Sequence, residues 1–176
     1  DGDENHLIFG VKRDVTTEHE GEVSTILHDE ISEGDMINLS APVGGFSIEN
    51  TERPQLFIGS GVGMTPLVSM FKKAASLNVP TQMIQAVVTE DERPFAQKLD
   101  SITANHEQAQ LHLHVKDKEG YLEAKELEQY LSEQPEIYIC GGTNFLHSII
   151  NSLKELNYDM NHVHFETFIP RLSVQV

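Results

Sequence analysis

The stretch that most restricts how this chain can fold is Phe57-Ile58-Gly59-Ser60-Gly61-Val62-Gly63-Met64-Thr65-Pro66. A short apolar run, Gln55 to Gly59, reads as a buried strand. It ends in three alternating glycines, and a helical pattern begins at Thr65-Pro66. Glycine tolerates positive φ and lets backbone N–H groups approach a ligand with no Cβ in the way. Proline in a first helical turn gives up a donor that has no intrahelical partner anyway. The helix N-terminus then offers N–H groups and partial positive charge to a phosphate. The pattern specifies a pyrophosphate site carried by Gly61, Val62, Gly63, Met64, Thr65 and Pro66. The plainer alternative is a tight strand-to-helix turn that binds nothing. No Gly-Lys-Ser/Thr follows, so this is not a Walker loop. Where G-x-G-x-x-G would place its third glycine, the chain has Pro66.

The loop sits in a chain with two rhythms. From residue 54, apolar runs alternate with amphipathic patterns. Strands are expected over Gln55–Gly59, Gln82–Thr89, Gln110–Val115, Glu136–Cys140 and His162–Glu166. Helices are expected over Thr65–Leu77, Arg93–Ala104, Ala124–Ser132 and Asn144–Leu156. Five strands separated by helices imply right-handed crossovers and a parallel, doubly wound α/β sheet covered on both faces. Before residue 52 the elements are shorter and turns more frequent. Strands are expected at His6–Arg13, Met36–Ala41 and Phe46–Ile48. A short helix is expected over Val23–Ile31, with Ser24 as its N-cap. Residues 1–52 thus read as part of an antiparallel β structure, too few to close a barrel, and residues 53–176 as the α/β domain.

Composition narrows the function. Acidic residues number 28 against 12 basic, a formal charge of −16. Such a polyanion lacks the basic face that neutralises phosphates, which argues against nucleic acid, and equally against an anionic membrane surface. The single cysteine, Cys140, excludes an internal disulfide and fits a reducing compartment. No apolar run approaches the ~20 residues of a membrane span, and the first residues lack a signal-peptide layout. A cytoplasmic location is expected.

Beyond these features the chain resembles a family. G-x-G-x-T-P after a strand is similar to the nicotinamide-nucleotide domain of the ferredoxin–NADP reductase-like superfamily. Gly120-Tyr121-Leu122 stands where that family has a Gly-x-Leu/Val turn. Ile137-Tyr138-Ile139-Cys140-Gly141-Gly142 resembles its strand ending in Cys-Gly-Pro, and Phe165-Glu166-Thr167-Phe168 its final strand and aromatic. Earlier, Gly21-Glu22-Val23-Ser24 with Leu27-His28-Asp29, and Ala41-Pro42-Val43-Gly44-Gly45-Phe46, resemble the reductase portion of flavohaemoglobins, bacterial nitric oxide dioxygenases.

The resemblance implies an oxidoreductase that passes electrons from NADH or NADPH through FAD to haem in a globin domain of the same polypeptide, a domain not in this chain. By matched position, Gly61 to Pro66 would hold the nicotinamide-dinucleotide pyrophosphate, and Cys140 and Gly141 would lie beside the nicotinamide. Gly21, Val23 and Ser24 would receive the FAD pyrophosphate. Thr167, Phe168, Ile169 and Pro170 would lie along the isoalloxazine, and Glu166 would tune the flavin site. Catalytic roles therefore fall to Glu166 and Cys140. The redox chemistry belongs to the cofactors; the protein aligns them.

The chain also departs from the family. It lacks the Arg-x-Tyr-Ser segment that binds the flavin phosphate, Cys-Gly-Gly replaces Cys-Gly-Pro, and Ile169 replaces a glycine. It is therefore expected to be a piece of a longer protein with poor FAD affinity. Two alternatives stand beside the main expectation: a reductase for another acceptor, and a nucleotide-binding module without catalysis. Glu90-Asp91-Glu92 after the second strand favours NADH, whereas Arg93 would suit a 2′-phosphate.

Several side chains have plainer readings. Cys140 is more simply a buried small residue than a nucleophile. His112 and His114 share a strand face, as do His162 and His164. The two pairs lie on opposite edges in this strand order, so no metal site is expected. Apolar edges of an incomplete barrel invite a homodimer.

Overall fold

Alternation of buried strands and amphipathic helices governs the chain after residue 54. The computed structural model describes residues 2–3, 6–15, 21–41, 43–77 and 79–167. In chain order its elements are β1 (Gly2–Asp3), β2 (His6–Leu7), α1 (Glu22–Asp29), β3 (Gln55–Ser60), α2 (Met64–Ala75), β4 (Thr81–Val87), α3 (Ala96–Asn105), β5 (Ala109–Val115), α4 (Lys116–Glu119), α5 (Ala124–Leu127), β6 (Glu136–Gly141), α6 (Thr143–Glu155) and β7 (Val163–Thr167). The described residues of 2–45 and of 46–167 form two compact units.

In the second unit the five strands β3 to β7 make one parallel sheet in the order β5-β4-β3-β6-β7. The chain enters at the central strand, winds outward to β5, then crosses back to β6 and β7. The winding direction therefore reverses between β3 and β6, and ligands of such sheets bind outside the carboxyl ends at that reversal. Phe57, Met83 and Tyr138 pack against Leu67, Phe71 and Leu99 on the face covered by α2 and α3. Leu56, Ile58, Ile84 and Ile139 pack against Leu127, Leu146, Ile149 and Leu153 on the face covered by α5 and α6. Burial on both faces explains why the strands read as nearly unbroken apolar runs. Each fully buried Leu, Ile or Phe contributes about 1.5–3 kcal/mol.

The five expected strands and four expected helices of this unit are present, with ends shifted by one to a few residues. The pattern over Ala124–Ser132 is shorter than expected: α5 stops at Leu127 and a 3₁₀ turn, Glu128–Tyr130, replaces its last turn. His162 falls in a 3₁₀ turn rather than on β7, so it does not share a strand face with His164. Both instead meet the buried carboxylate of Glu136 at the start of β6. His162 Nδ1 donates to Glu136 Oε1 at 2.8 Å and His164 Nε2 to Oε2 at 2.9 Å. Arg53 Nε lies 3.5 Å from Oε1, an ion pair without a hydrogen bond.

The first unit departs further from expectation. Of His6–Arg13 only His6–Leu7 is a strand, paired antiparallel with Gly2–Asp3. Met36–Ala41 forms no strand, and neither does Phe46–Ile48 at the start of the second unit. A strand needs a neighbour to take its N–H and C=O groups, and among the described residues none flanks these segments. Phe46 and Ile48 instead pack on the α/β core, with Phe46 edge-on to the Tyr138 ring at 6.2 Å. Helix α1 buries none of its residues. It is held by polar bonds: Arg13 Nη1 donates to Asp29 Oδ2 at 2.7 Å, Nη2 pairs with Oδ1, and His28 Nε2 donates to the Val11 carbonyl at 3.0 Å. The Arg13 bond holds the Asp29 carboxyl below its usual range. No described side chain of residues 6–45 is buried; Met36 is 97% exposed.

Candidate functional site

The glycine loop lies at the carboxyl end of β3, and its three glycines have different reasons to be there. At Gly59 a Cβ would meet Met64 Sδ at 2.6 Å and Leu67 Cδ1 at 2.7 Å. At Gly63 it would lie 2.2 Å from the Cys140 carbonyl oxygen. These two let α2 close onto the sheet. Gly61 has φ +55 and open space around its missing side chain, so it alone of the three gives a ligand access to backbone. Gly61–Gly63 form a 3₁₀ turn that leads into α2. No side chain caps α2, and its first turn holds no acidic residue. Its positive end is therefore uncompensated and suited to an anion.

Within the loop, the Met64 side chain is fully buried in the core, so its contribution to a ligand is confined to the main chain. Thr65 Oγ1 donates to the Val62 carbonyl at 2.9 Å and keeps its lone pairs for another donor. Pro66 stands third in the helix, where its missing N–H leaves no broken bond. Helix α6, which follows β6, is likewise uncapped and free of acidic residues in its first turn. Two uncompensated helix N-termini thus flank the point where the winding reverses.

Beside the loop, and sharing Ser60 with it, opens a cleft of about 560 Å³. Its floor is Ala86, Val87 and His114; the β5–α5 connection supplies Lys116 and Gly120 to Glu123; α6 supplies Asn144, Phe145 and Ser148. Tyr121 is 67% exposed, with the Lys116 ammonium 4.7 Å from its ring centroid. A mostly apolar cleft with an open aromatic face, a cation and a few hydroxyl and amide groups matches a nucleoside. The sequence marked Gly120-Tyr121-Leu122 as a turn but missed the cleft residues His114, Lys116, Tyr121, Asn144, Phe145 and Ser148. Their convergence depends on strand order, which no local pattern carries.

The ends of β6 and β7 complete the rim. Cys140 pairs in register with Glu166, and Gly141 with Thr167. A Cβ on Gly141 would strike the Phe145 ring at 2.7 Å, so this glycine lets α6 approach. Glu166 is exposed and Thr167 half-buried. Phe168, Ile169 and Pro170 lie outside the described residues. The Cys140 thiol is fully buried, and burial, with Glu166 adding to it, pushes its pKa up to about 12. A thiol buried in this way is suited to packing and poorly suited to nucleophilic attack.

Two other expectations change in detail. In the first unit Gly21, not Ser24, is the N-cap of α1. Ser24 is the third helical residue, and its Oγ donates to the Gly21 carbonyl and accepts from the Asp14 N–H, both at 3.0 Å. Val23 stands exposed beside it. In the second unit Arg93 is turned away from the cleft, with Nη2 on Asp100 at 3.1 Å and Nε on Gln85 at 3.3 Å. Glu90 binds Lys118 Nζ at 2.6 Å, which holds its carboxyl below the usual range.

A parallel sheet that reverses at a glycine turn, with uncapped helices and a nucleoside-sized cleft at its carboxyl end, defines the dinucleotide-binding class of α/β proteins. Residues 57–150, over half the chain, match the oxidoreductase NAD-binding domain family, and the chain belongs to it. Its relatives include the flavohemoprotein of Bacillus cereus (strain ATCC 10987 / NRS 248), 30% identical over 172 residues, covering 89% of this chain and 43% of the relative. Another is the flavohemoprotein of Pseudomonas aeruginosa, 28% identical over 170 residues, covering 91% of this chain and 43% of the relative. The chain thus spans less than half the length of these relatives. Among solved structures it matches the flavohem-like FAD/NAD binding domain of nitric oxide dioxygenase from Vibrio cholerae, with TM-score 0.75, 27% identity, and coverage of 91% of this chain and 70% of that one. Ferredoxin-NADP+ reductase from Plasmodium falciparum shares the fold, with TM-score 0.71, 19% identity, and coverage of 90% of this chain and 70% of that one. No helix among the described residues is long and apolar enough to cross a membrane.

Proposed function

We propose that this chain is the reductase portion of a flavohemoprotein-type oxidoreductase, a cytoplasmic enzyme that takes hydride from a nicotinamide dinucleotide. The observation that carries this reading is the uncapped α2 N-terminus at Gly61, adjoining the Tyr121 cleft at the winding reversal. Gly61 to Thr65 hold the pyrophosphate through main-chain N–H groups, and Pro66, which has none, sets the helix backbone beside them. The cleft takes the adenosine half, with Tyr121 beneath the base and Lys116 near phosphate. Gly141 and the adjoining main chain of Cys140 border the nicotinamide half. Glu166 and Thr167 border the flavin side. In the first unit, Gly21, Val23 and Ser24 are the residues offered to a flavin pyrophosphate. When bound, FAD supplies the conversion of a two-electron hydride donor into single electrons for a haem-bearing globin domain of the longer polypeptide. NADH is the preferred donor: Arg93 is committed to Asp100, and Glu123 stands on the cleft rim.

A second reading, a nucleotide-binding portion without catalysis of its own, is favoured by the first unit. There the Ser24 hydroxyl is already bonded within the chain, and no described side chain of residues 6–45 is buried.

Anaerobic absorbance spectra of the chain mixed with FAD, before and after NADH, separate the two. Bleaching of protein-bound flavin by NADH supports the reductase. NADH binding without flavin retention supports the second reading. Absence of NADH binding refutes both.

A further inference from the structure

His114 is the one buried histidine among the described residues, and its ring reaches the connection that forms one wall of the cleft. Its Nε2 lies 3.0 Å from the Gly120 carbonyl oxygen. A carbonyl only accepts, so Nε2 carries the proton. Nδ1 faces Glu119 Oε2 at 3.7 Å. Among the connection's other fastenings, the Asp117 N–H bonds the Val88 carbonyl at 3.2 Å and Lys118 Nζ bonds Glu90 Oε2 at 2.6 Å. The Gly120 N–H bonds the Lys116 carbonyl at 2.8 Å, and the Val115 N–H bonds Glu119 Oε1 at 2.8 Å. Leu122 is buried in the core beyond them. Gly120 itself sits at φ +82 with nothing around its Cβ position.

The peptide from the Gly120 carbonyl to the Tyr121 nitrogen is planar. Holding that oxygen fixes the plane from which Tyr121 departs. Tyr121 is mostly exposed, so little packing aims its ring; the fixed plane and the Lys116 ammonium over its face do. We propose that His114 is a positioning residue for nucleotide recognition: by bonding the Gly120 carbonyl it presents the Tyr121 ring and Lys116 to the nucleoside half of an adenine dinucleotide. This rests on the dinucleotide reading of the cleft.

His112 is the natural control. It lies two residues earlier on the same face of β5, but its Nε2 bonds Gln82 Oε1 at 3.1 Å and its ring meets Tyr130, away from the connection.

The test uses the full chain with ADP-ribose, which keeps the adenosine half of the dinucleotide, and reduced nicotinamide mononucleotide, which lacks it. Affinities are measured by calorimetry and hydrogen exchange is followed over residues 116–123. Loss of the bond in H114A should weaken ADP-ribose about tenfold, equivalent to ~1.4 kcal/mol. It should also speed exchange over 116–123 and leave the mononucleotide within twofold. H114Q, whose amide can donate to the same carbonyl, should recover most of the affinity and covers the case of an unfolded H114A. H112A should move neither readout. ADP-ribose affinity within twofold of wild type in H114A, failure of a folded H114Q to retain most of the affinity, or equal losses in H114A and H112A, overturns the proposal. A wild-type chain that does not bind ADP-ribose refutes the dinucleotide reading and the recognition role with it. Faster exchange in H114A would then show His114 holding the loop for some other purpose.

Discussion

Replacing Gly63 by alanine tests the account of the glycine loop most directly. Gly63 has φ −61 and ψ −14, an ordinary helical conformation. On backbone grounds alone, alanine there should stabilise the chain by about 0.4–1 kcal/mol through the unfolded state. Packing reverses the sign. The new Cβ would stand 2.2 Å from the Cys140 oxygen, 2.3 Å from its carbonyl carbon and 2.5 Å from the Gly141 nitrogen. A carbon and a carbonyl oxygen approach no closer than about 3.3 Å, so α2 and β6 must separate by roughly 1 Å. All three obstructing atoms are backbone in the sheet interior, and none can rotate away. A gap of that size forfeits a quarter to a half of the dispersion energy across the contact. We expect G63A to cost about 3 kcal/mol, the upper end for overpacking. Two controls isolate the cause. G142A, at φ −67 with nothing near its Cβ, should be neutral or slightly stabilising. G61A, at φ +55 in open space, should cost roughly 1–2 kcal/mol for the left-handed backbone. Urea denaturation followed by circular dichroism gives all three values. If G63A proved as stable as G142A, the close approach of loop and β6 would be wrong.

Glu136 and Cys140 yield further expectations. E136Q keeps the side-chain volume but leaves Arg53 without its counter-charge and sets an amide N–H against one histidine N–H. It should destabilise the chain by about 3–5 kcal/mol in the same denaturation assay, and a change within 0.5 kcal/mol, roughly that of a surface substitution, would refute the role given to this carboxylate. The Cys140 thiol, raised from 9.0 to about 12 by burial, favours the protonated native form. The stability it contributes is complete below about pH 9 and is lost as pH rises toward 12. Tyr158, raised from 10.0 to about 12, acts in the same direction from about pH 10 upward. Iodoacetamide should leave native Cys140 unmodified at pH 8, and C140A should flatten the alkaline loss of stability; rapid native alkylation would contradict the sealed thiol.

Where sequence and structure agree, the cause is local. The strands β3 to β7 were legible because each is a short apolar run between breakers. Gln55–Ser60 and Glu136–Gly141, buried on both faces, announce themselves by composition. The loop at Gly61 was legible for the same reason, since strand, glycines and helix are consecutive. What was not legible depends on remote partners. Met36 to Ala41 alternates as a strand would, but without a flanking strand it forms no ladder. The need for glycine at position 63 comes from Cys140, distant in the chain. His114 appeared as half of a histidine pair, and only the path of the chain after β5 shows the carbonyl it holds. Lys116 and Tyr121 come to line one cleft with Ser60 and Ala86 only because β5, β4 and β3 lie side by side. Ser24 has the chemistry of a helix cap, yet Gly21 takes that place because the serine hydroxyl is engaged with Asp14 and Gly21.

The two polar regions of the α/β unit stand at opposite ends of one sheet. Glu136 and its cationic neighbours are built into the amino end, while the glycine turn and the cleft lie at the carboxyl end. Substitutions around Lys116, Tyr121 or Asn144 therefore meet loops and a half-open cleft, not the buried Glu136 carboxylate and its partners. A scaffold divided in this way lets side chains around the cleft be exchanged without disturbing the hydrogen bonds of the carboxylate at its other end.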